Sequence, residues 1–226
     1  MRAKDPADLI NSFPSFFDDE FHKLRDAIAA PDSRGGRPKV LQFTSAQFDE
    51  GVTSVTLGFG VFLGTIYGQD SILAVEANFR RPSFRKTFGL TPADGLQAVL
   101  GQQTQAAKAI QRVSSQVSVL PADGTQNGGD LLSSKPFRGR LRSLLAEMGN
   151  QYRFVLVDTP PVLPFADARV LSGFVDAVIV VVEANRTRAE QINDALDGLR
   201  SAGADILGII LNKRDFHVPN YVYRFL

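Results

Sequence analysis

The chain of 226 residues contains no cysteine, which excludes a disulfide framework and a thiolate zinc site. Histidine is scarce too. His22 and His217 are the only two, and neither has carboxylates around it at metal-ligand spacing. Both read as surface or helix-end residues, and no metal is expected. Net charge is nearly absent, since 25 Lys and Arg face 24 Asp and Glu to leave +1. No basic surface for nucleic acid or an anionic membrane is implied. No apolar run reaches the ~18 residues of a membrane span. The stretch from Met1 to Phe13 lacks the basic-then-apolar order of a secretory signal. The expectation is a cytoplasmic chain, neither inserted nor exported.

What is present is an ordinary globular composition, 44% hydrophobic and 22% charged, long enough for one domain with a substantial core. Residues 1–30 read as a polar arm and a helix, with Phe13, Phe16, Phe17, Phe21, Leu24 and Ile28 at helical spacing. Residues 31–38 hold turn formers and no apolar side chain, so they read as a linker to an α/β domain over 39–226. Strands are expected at 40–43, 72–75, 117–120, 154–157, 177–182 and 206–211. Helices are expected at 53–67, 97–113, 137–148 and 188–201. Gly60, Gly64 and Gly68 recur along one face of the first of these. Glycine weakens a helix by roughly 1 kcal/mol per position, so close packing against a neighbour is the expected reason. Strands apolar at every position are buried on both faces. With strand and helix alternating, the fold class is α/β, a doubly wound, mostly parallel sheet flanked by helices.

Ligands of such a sheet bind where loops leave the carboxyl ends of the strands. The first such loop runs Thr44-Ser45-Ala46-Gln47-Phe48-Asp49-Glu50-Gly51-Val52-Thr53-Ser54. Against the P-loop pattern, Gly51 and Thr53 stand before and after the position that should be lysine. That position is Val52, which has neither donor nor charge for a phosphate. Asp49 and Glu50 add two carboxylates to a loop that must hold an anion. Unit charges 4 Å apart repel by ~1 kcal/mol even in water. On pattern alone, a βα turn capped by Thr53 or Ser54 explains the segment as well.

Further motifs follow in order: Val75-Glu76-Ala77-Asn78-Phe79-Arg80-Arg81-Pro82, Asp130-Leu131-Leu132, Asp158-Thr159-Pro160-Pro161-Val162-Leu163 with Asp167-Ala168, and Gly208-Ile209-Ile210-Leu211-Asn212. Together they resemble the bacterial tyrosine autokinase family, from about Asp19 to Leu226. Its members are cytoplasmic P-loop NTPase-like domains that work with membrane proteins controlling polysaccharide chain length. The resemblance implies aspartates, associated with magnesium and tyrosine activation, where this chain has Glu76 and Asn78. Glu76 could still hold a cation, whereas Asn78 has no charge and cannot act as a base. Asp158 matches the Walker B aspartate, and Asn212 a residue near the adenine. Asp49 stands where the family has a loop glycine. A strand-end carboxylate capping a neighbouring backbone is the plain alternative for Asp158.

The family's usual acceptor is a carboxy-terminal tyrosine cluster. Here Tyr221 and Tyr223 alternate with apolar residues, which favours packing over phosphate acceptance. An acid and two arginines on the amino-terminal helix help family members form a ring. Asp19, His22 and Arg25 stand there, so a homo-oligomer contact and a solvated helix face both remain open.

The resulting expectation is a non-catalytic, pseudokinase-like adaptor or regulator of exopolysaccharide synthesis or export. Its partner would be a membrane chain-length co-polymerase or a kinase paralogue, met in the cytoplasm or peripherally at the inner membrane. No catalytic residue is assigned. Gly51, Thr53, Ser54, Asp158 and Asn212 form a vestigial nucleotide site, and no cofactor is expected beyond weak ATP or ADP binding. The alternatives are a divergent ATPase or autokinase in which Arg80, Arg81 or Lys213 replaces the lysine, and a nucleotide-binding sensor without turnover.

Overall fold

Seven strands form a single sheet in the order β3-β4-β2-β5-β1-β6-β7. The structure is a computed structural model, described over residues 18–30, 36–91, 93–123 and 128–213. The strands are β1 (Val40–Ser45), β2 (Ile72–Glu76), β3 (Gln111–Arg112), β4 (Val117–Leu120), β5 (Phe154–Asp158), β6 (Ala177–Glu183) and β7 (Ile206–Asn212). All neighbours are parallel except the β3–β4 pair at one edge. β1, β2, β4 and β5 are buried at every position, as strands covered by helices on both faces must be.

The helices are α1 (Asp18–Ala29), α2 (Val52–Tyr67), α3 (Phe84–Phe88), α4 (Leu96–Leu100), α5 (Ala106–Ala109), α6 (Lys135–Gln151), α7 (Asp167–Ser172) and α8 (Ala189–Ser201). A 3-10 turn spans Gly128–Ser133. The apolar residues split into two clusters, one on each side of the sheet, as alternate side chains of a strand require. Leu41, Phe43, Leu156, Ile179 and Val181 pack with α2 and with Phe21, Leu24 and Ile28 of α1. Val155, Val157, Val178 and Val180 pack with α6, α7 and α8.

The helix expected over 97–113 is not one helix. Gly101 ends α4, α5 is a single turn, and the chain then pairs as β3 against β4. Local periodicity could not foresee an edge strand of two residues, because its pairing is made with a distant segment. Two of the three glycines along α2 meet the close-packing expectation. A Cβ on Gly60 would lie 3.2 Å from Leu156, and one on Gly64 would overlap Gln116. Gly68 instead ends the helix with φ 87° and ψ −162° and open space around it, a backbone conformation open to glycine. Phe13, Phe16, Phe17, His217, Tyr221 and Tyr223 lie outside the described residues. Among the described residues, no helix is long and apolar enough to cross a membrane.

Candidate functional site

The carboxyl ends of β1, β5 and β2 converge where the sequence placed its ligand loop. β1 lies between β5 and β6, and Phe43 pairs with Asp158. Glu76 pairs with the same Asp158 from β2. The Asp158-Thr159-Pro160-Pro161 stretch is bound to the end of β1. The Thr159 hydroxyl donates to the Phe43 carbonyl at 2.8 Å, and the Thr44 hydroxyl to the Pro160 carbonyl at 2.8 Å. The Val162 amide donates to the Ser45 carbonyl. This motif therefore fixes the base of the loop that follows β1.

The loop enters α2 through Gly51, whose φ of 87° is left-handed and unstrained only for glycine. Neither Thr53 nor Ser54 caps the helix, contrary to the turn reading. The Thr53 hydroxyl turns onto Asp158, donating to its Oδ2 at 2.7 Å. Ser54 is exposed on the first turn of α2. Val52, in the lysine position, is 8% exposed and belongs to the core cluster beneath α2. Asn212, at the end of β7, reaches the loop from below. Its Nδ2 donates to the Glu50 carbonyl at 2.8 Å, and its Oδ1 accepts the Lys213 amide at 2.8 Å. Of the five residues singled out, Gly51 meets Asn212, Thr53 meets Asp158, and Ser54 stands apart.

The two loop acids do not act together. Glu50 is buried, and its carboxylate accepts the Gln47 amide at 2.7 Å, the Glu183 amide at 3.2 Å and the Thr187 hydroxyl. It thus ties the loop to the segment between β6 and α8. Only Asp49 keeps a solvent-exposed carboxylate, 3.6 Å from Arg81, where the sequence led us to expect two. Asp49 is itself left-handed (φ 65°), a conformation that aspartate tolerates better than most residues.

The remaining carboxylates are held by the fold. Glu76 accepts the amides of Ser83, Phe84 (2.8 Å) and Ala122 (2.9 Å), so both its oxygens anchor the entry to α3 and the end of β4. Burial raises its carboxyl above the usual range, against the pull of those amides and of Arg85. Asp158 is fully buried, and its Oδ1 has no hydrogen-bond partner. Burial pushes its carboxyl from 3.8 up to about 8; the Thr53 hydroxyl opposes the rise and Glu76 adds to it. Thr53 and Asp158, the residues that the resemblance places nearest a magnesium position, are hydrogen-bonded to each other. Among the described residues, no three acids or histidines converge on a metal position.

Of the three basic residues considered as substitutes for lysine, Arg80 is engaged elsewhere. It forms a two-pronged pair with Asp167 (2.7 and 3.2 Å) and lies 3.8 Å above the Phe165 ring. Arg81 and Lys213 line the cleft beside the loop, a space of about 460 Å3 shared with Phe48, Thr53, Asn78 and Pro161. Sequence spacing could not reveal the Glu50–Thr187 and Lys213–Asp49 contacts, because each joins segments more than a hundred residues apart.

A parallel sheet of this order, an inner strand feeding a loop and a long helix, and an aspartate on the adjoining strand define a P-loop-type α/β domain. Over 178 residues the chain is 29% identical to the tyrosine-protein kinase YwqD of Bacillus subtilis, covering 77% of this chain and 72% of that protein. It is 26% identical over 188 residues to the succinoglycan biosynthesis transport protein ExoP of Rhizobium meliloti, but spans only 23% of that protein. The kinase domain of Escherichia coli tyrosine kinase ETK superposes with a TM-score of 0.72 at 28% identity, over 81% of this chain and 72% of that one. No model of a known protein family matches. The relatives are named as bacterial tyrosine-protein kinases and the solved neighbours as tyrosine-kinase domains, consistent with the family that the sequence motifs resemble.

Proposed function

We propose that this chain is a non-catalytic, pseudokinase-like adaptor or regulator in exopolysaccharide synthesis or export. The observation that carries the reading is Val52, an aliphatic side chain buried in the core at the position of the phosphate-binding lysine. Phosphoryl transfer depends almost wholly on positioning and on stabilising negative charge. Valine supplies no charge, Glu76 is taken up by three backbone amides, and Asn78 accepts the Arg81 amide at 3.2 Å and carries no charge. The biological setting rests on the relatives. ExoP is named for succinoglycan biosynthesis and transport, and others are named as tyrosine kinases. The partner in this reading is a membrane chain-length co-polymerase or an active kinase paralogue, and the chain meets the membrane only through it.

Purified protein incubated with γ-labelled ATP tests the catalytic half. The expected outcome is no label on the protein and no phosphate release above a no-protein control. Time-dependent label on tyrosine overturns it. Co-purification from native membranes tests the adaptor half, and recovery of no polysaccharide-assembly protein would sink that half.

A further inference from the structure

Helix α6 carries Lys135, Arg138, Arg140 and Arg142 in its first half and a single acid, Glu147, in its second. The chain as a whole is only +1, so positive charge is concentrated on this helix and the remainder is net negative. Among the described residues, none of the four cations forms an ion pair. Elsewhere Arg25, Arg112, Arg186 and Arg200 each meet an acid. The placement also works against the helix, because cations in the opening turns stand at the positive end of its dipole. At Arg140 the Nε is sealed from solvent without an acceptor, a state that folded chains normally avoid. Nothing in the packing of this chain accounts for the cluster.

The outer face of α6 holds a second feature without an internal reason. Phe137, Leu141, Leu144, Leu145 and Met148 turn inward. Gly139, Ser143 and Ala146 are left exposed along the opposite line, at steps of four and three. Gly139 sits inside a helix, where glycine is the least favourable residue after proline. A Cβ placed on it would meet nothing within 4 Å, so no neighbour within the chain requires its absence. By helical geometry Lys135, Arg138 and Arg142 border this line on one side and Arg140 on the other. A second helix can approach such a notch closely, since the side chains at a crossing set the interaxial distance. Carboxylates three and four residues apart on that helix would then reach the bordering arginines.

We infer that this face of α6 docks an acidic helix of the protein partner, with Gly139 at the crossing and Arg138, Arg140 and Arg142 taking its carboxylates. The inference rests on the adaptor reading and deepens it by giving the partner's docking segment a chemistry. No residue of α6 lines the cleft beside the loop after β1, so the surface is separate from that site. Arginine suits the task because its planar fork holds a carboxylate through two parallel hydrogen bonds. Charge complementarity of this kind selects the partner and sets its register. A membrane or a nucleic-acid duplex would use the charge but not the notch, which favours a helix as the occupant.

Fluorescence anisotropy of the full chain with a labelled peptide of repeated Ala-Glu-Ala-Ala-Ala-Glu-Ala heptads, about 20 residues long so that it forms a helix, tests it. The expected result is saturable binding that weakens as salt is raised. Arg138→Gln combined with Arg142→Gln should weaken it about tenfold or more. Gly139→Gln should weaken it about tenfold while raising the melting temperature, because folding favours a side chain there and docking does not. Arg112→Gln combined with Arg200→Gln removes the same charge elsewhere and should leave binding unchanged. Binding that survives Gly139→Gln, or none up to millimolar peptide, would overturn the inference. So would tighter binding to phosphatidylglycerol vesicles or to a DNA duplex than to the peptide, lost in the α6 arginine variant. If the peptide fails while a partner still co-purifies, the adaptor reading stands and its docking lies elsewhere. If no partner co-purifies, that reading falls whatever the peptide does.

Discussion

The side-chain amide of Asn212 occupies the space that a Cβ on Gly51 would need, and from there it donates to the Glu50 carbonyl at 2.8 Å. The end of β7 and the mouth of α2 are thus fitted to each other through the smallest residue available. Gly51→Ala should lower stability by roughly 2 kcal/mol, from the left-handed backbone and the overlap together. In an Asn212→Ala background the overlap disappears, so a double-mutant cycle should show coupling of about 1 kcal/mol. Strictly additive losses in urea denaturation would mean that the two residues do not meet.

Glu76 differs from the aspartate that the family resemblance implies, and the structure gives it a backbone role. Its carboxylate serves three amides, at Ser83, Phe84 and Ala122. Glu76→Ala strands those donors in a buried place and should lose about 2–4 kcal/mol. Glu76→Asp should recover only part of that, because one methylene less cannot span donors from two segments. Full recovery in the aspartate variant, followed by chemical denaturation, would show that the segments can close the gap.

Asp158 makes stability depend on pH with a definite sign. Its folded-state carboxyl titrates near 8 against 3.8 in the ordinary state, so the folded chain holds the extra proton between those values. Stability from this group is fully present below about pH 4 and is lost as pH rises toward 8, at roughly 1.4 kcal/mol per unit. Asp158→Asn should flatten that decline and stabilise the protein at pH 7.5, since its amide oxygen can still accept from Thr53. Denaturant midpoints at pH 5.5 and 7.5 for both proteins measure it, and equal slopes would refute the assignment.

The Glu50 carboxylate joins the loop to β6 across more than a hundred residues. Glu50→Ala should speed hydrogen exchange at the Gln47 and Glu183 amides and cost about 2 kcal/mol. Exchange unchanged at both amides would mean that they find other acceptors.

The strands and their parallel arrangement were legible in the sequence because each carries a continuous apolar run, as at 154–157 and 177–182. The loop was legible through Gly51 and Val52, and the positions of Asp158 and Asn212 followed from the family resemblance. The partners of these residues were not. That Asn212 serves the loop backbone and Thr53 turns onto Asp158 depends on segments brought together only by the sheet. The helix expected at 97–113 failed for a related reason: Gln111 and Arg112 pair with Ser118 and Val119, and that pairing overrides the local preference. Asp49 and Glu50 look alike in the chain, yet one faces solvent and the other is sealed within the fold.

Val52 both lines the cleft and belongs to the core cluster that includes Val55, Leu57 and Phe59 of the same helix. At this codon, selection would therefore read folding rather than turnover. Isoleucine or another compact aliphatic residue would be tolerated there, and lysine would be purged for its instability before any benefit to catalysis could register. Any phosphate affinity gained by Val52→Lys would therefore have to exceed the cost of placing an ammonium group against the core.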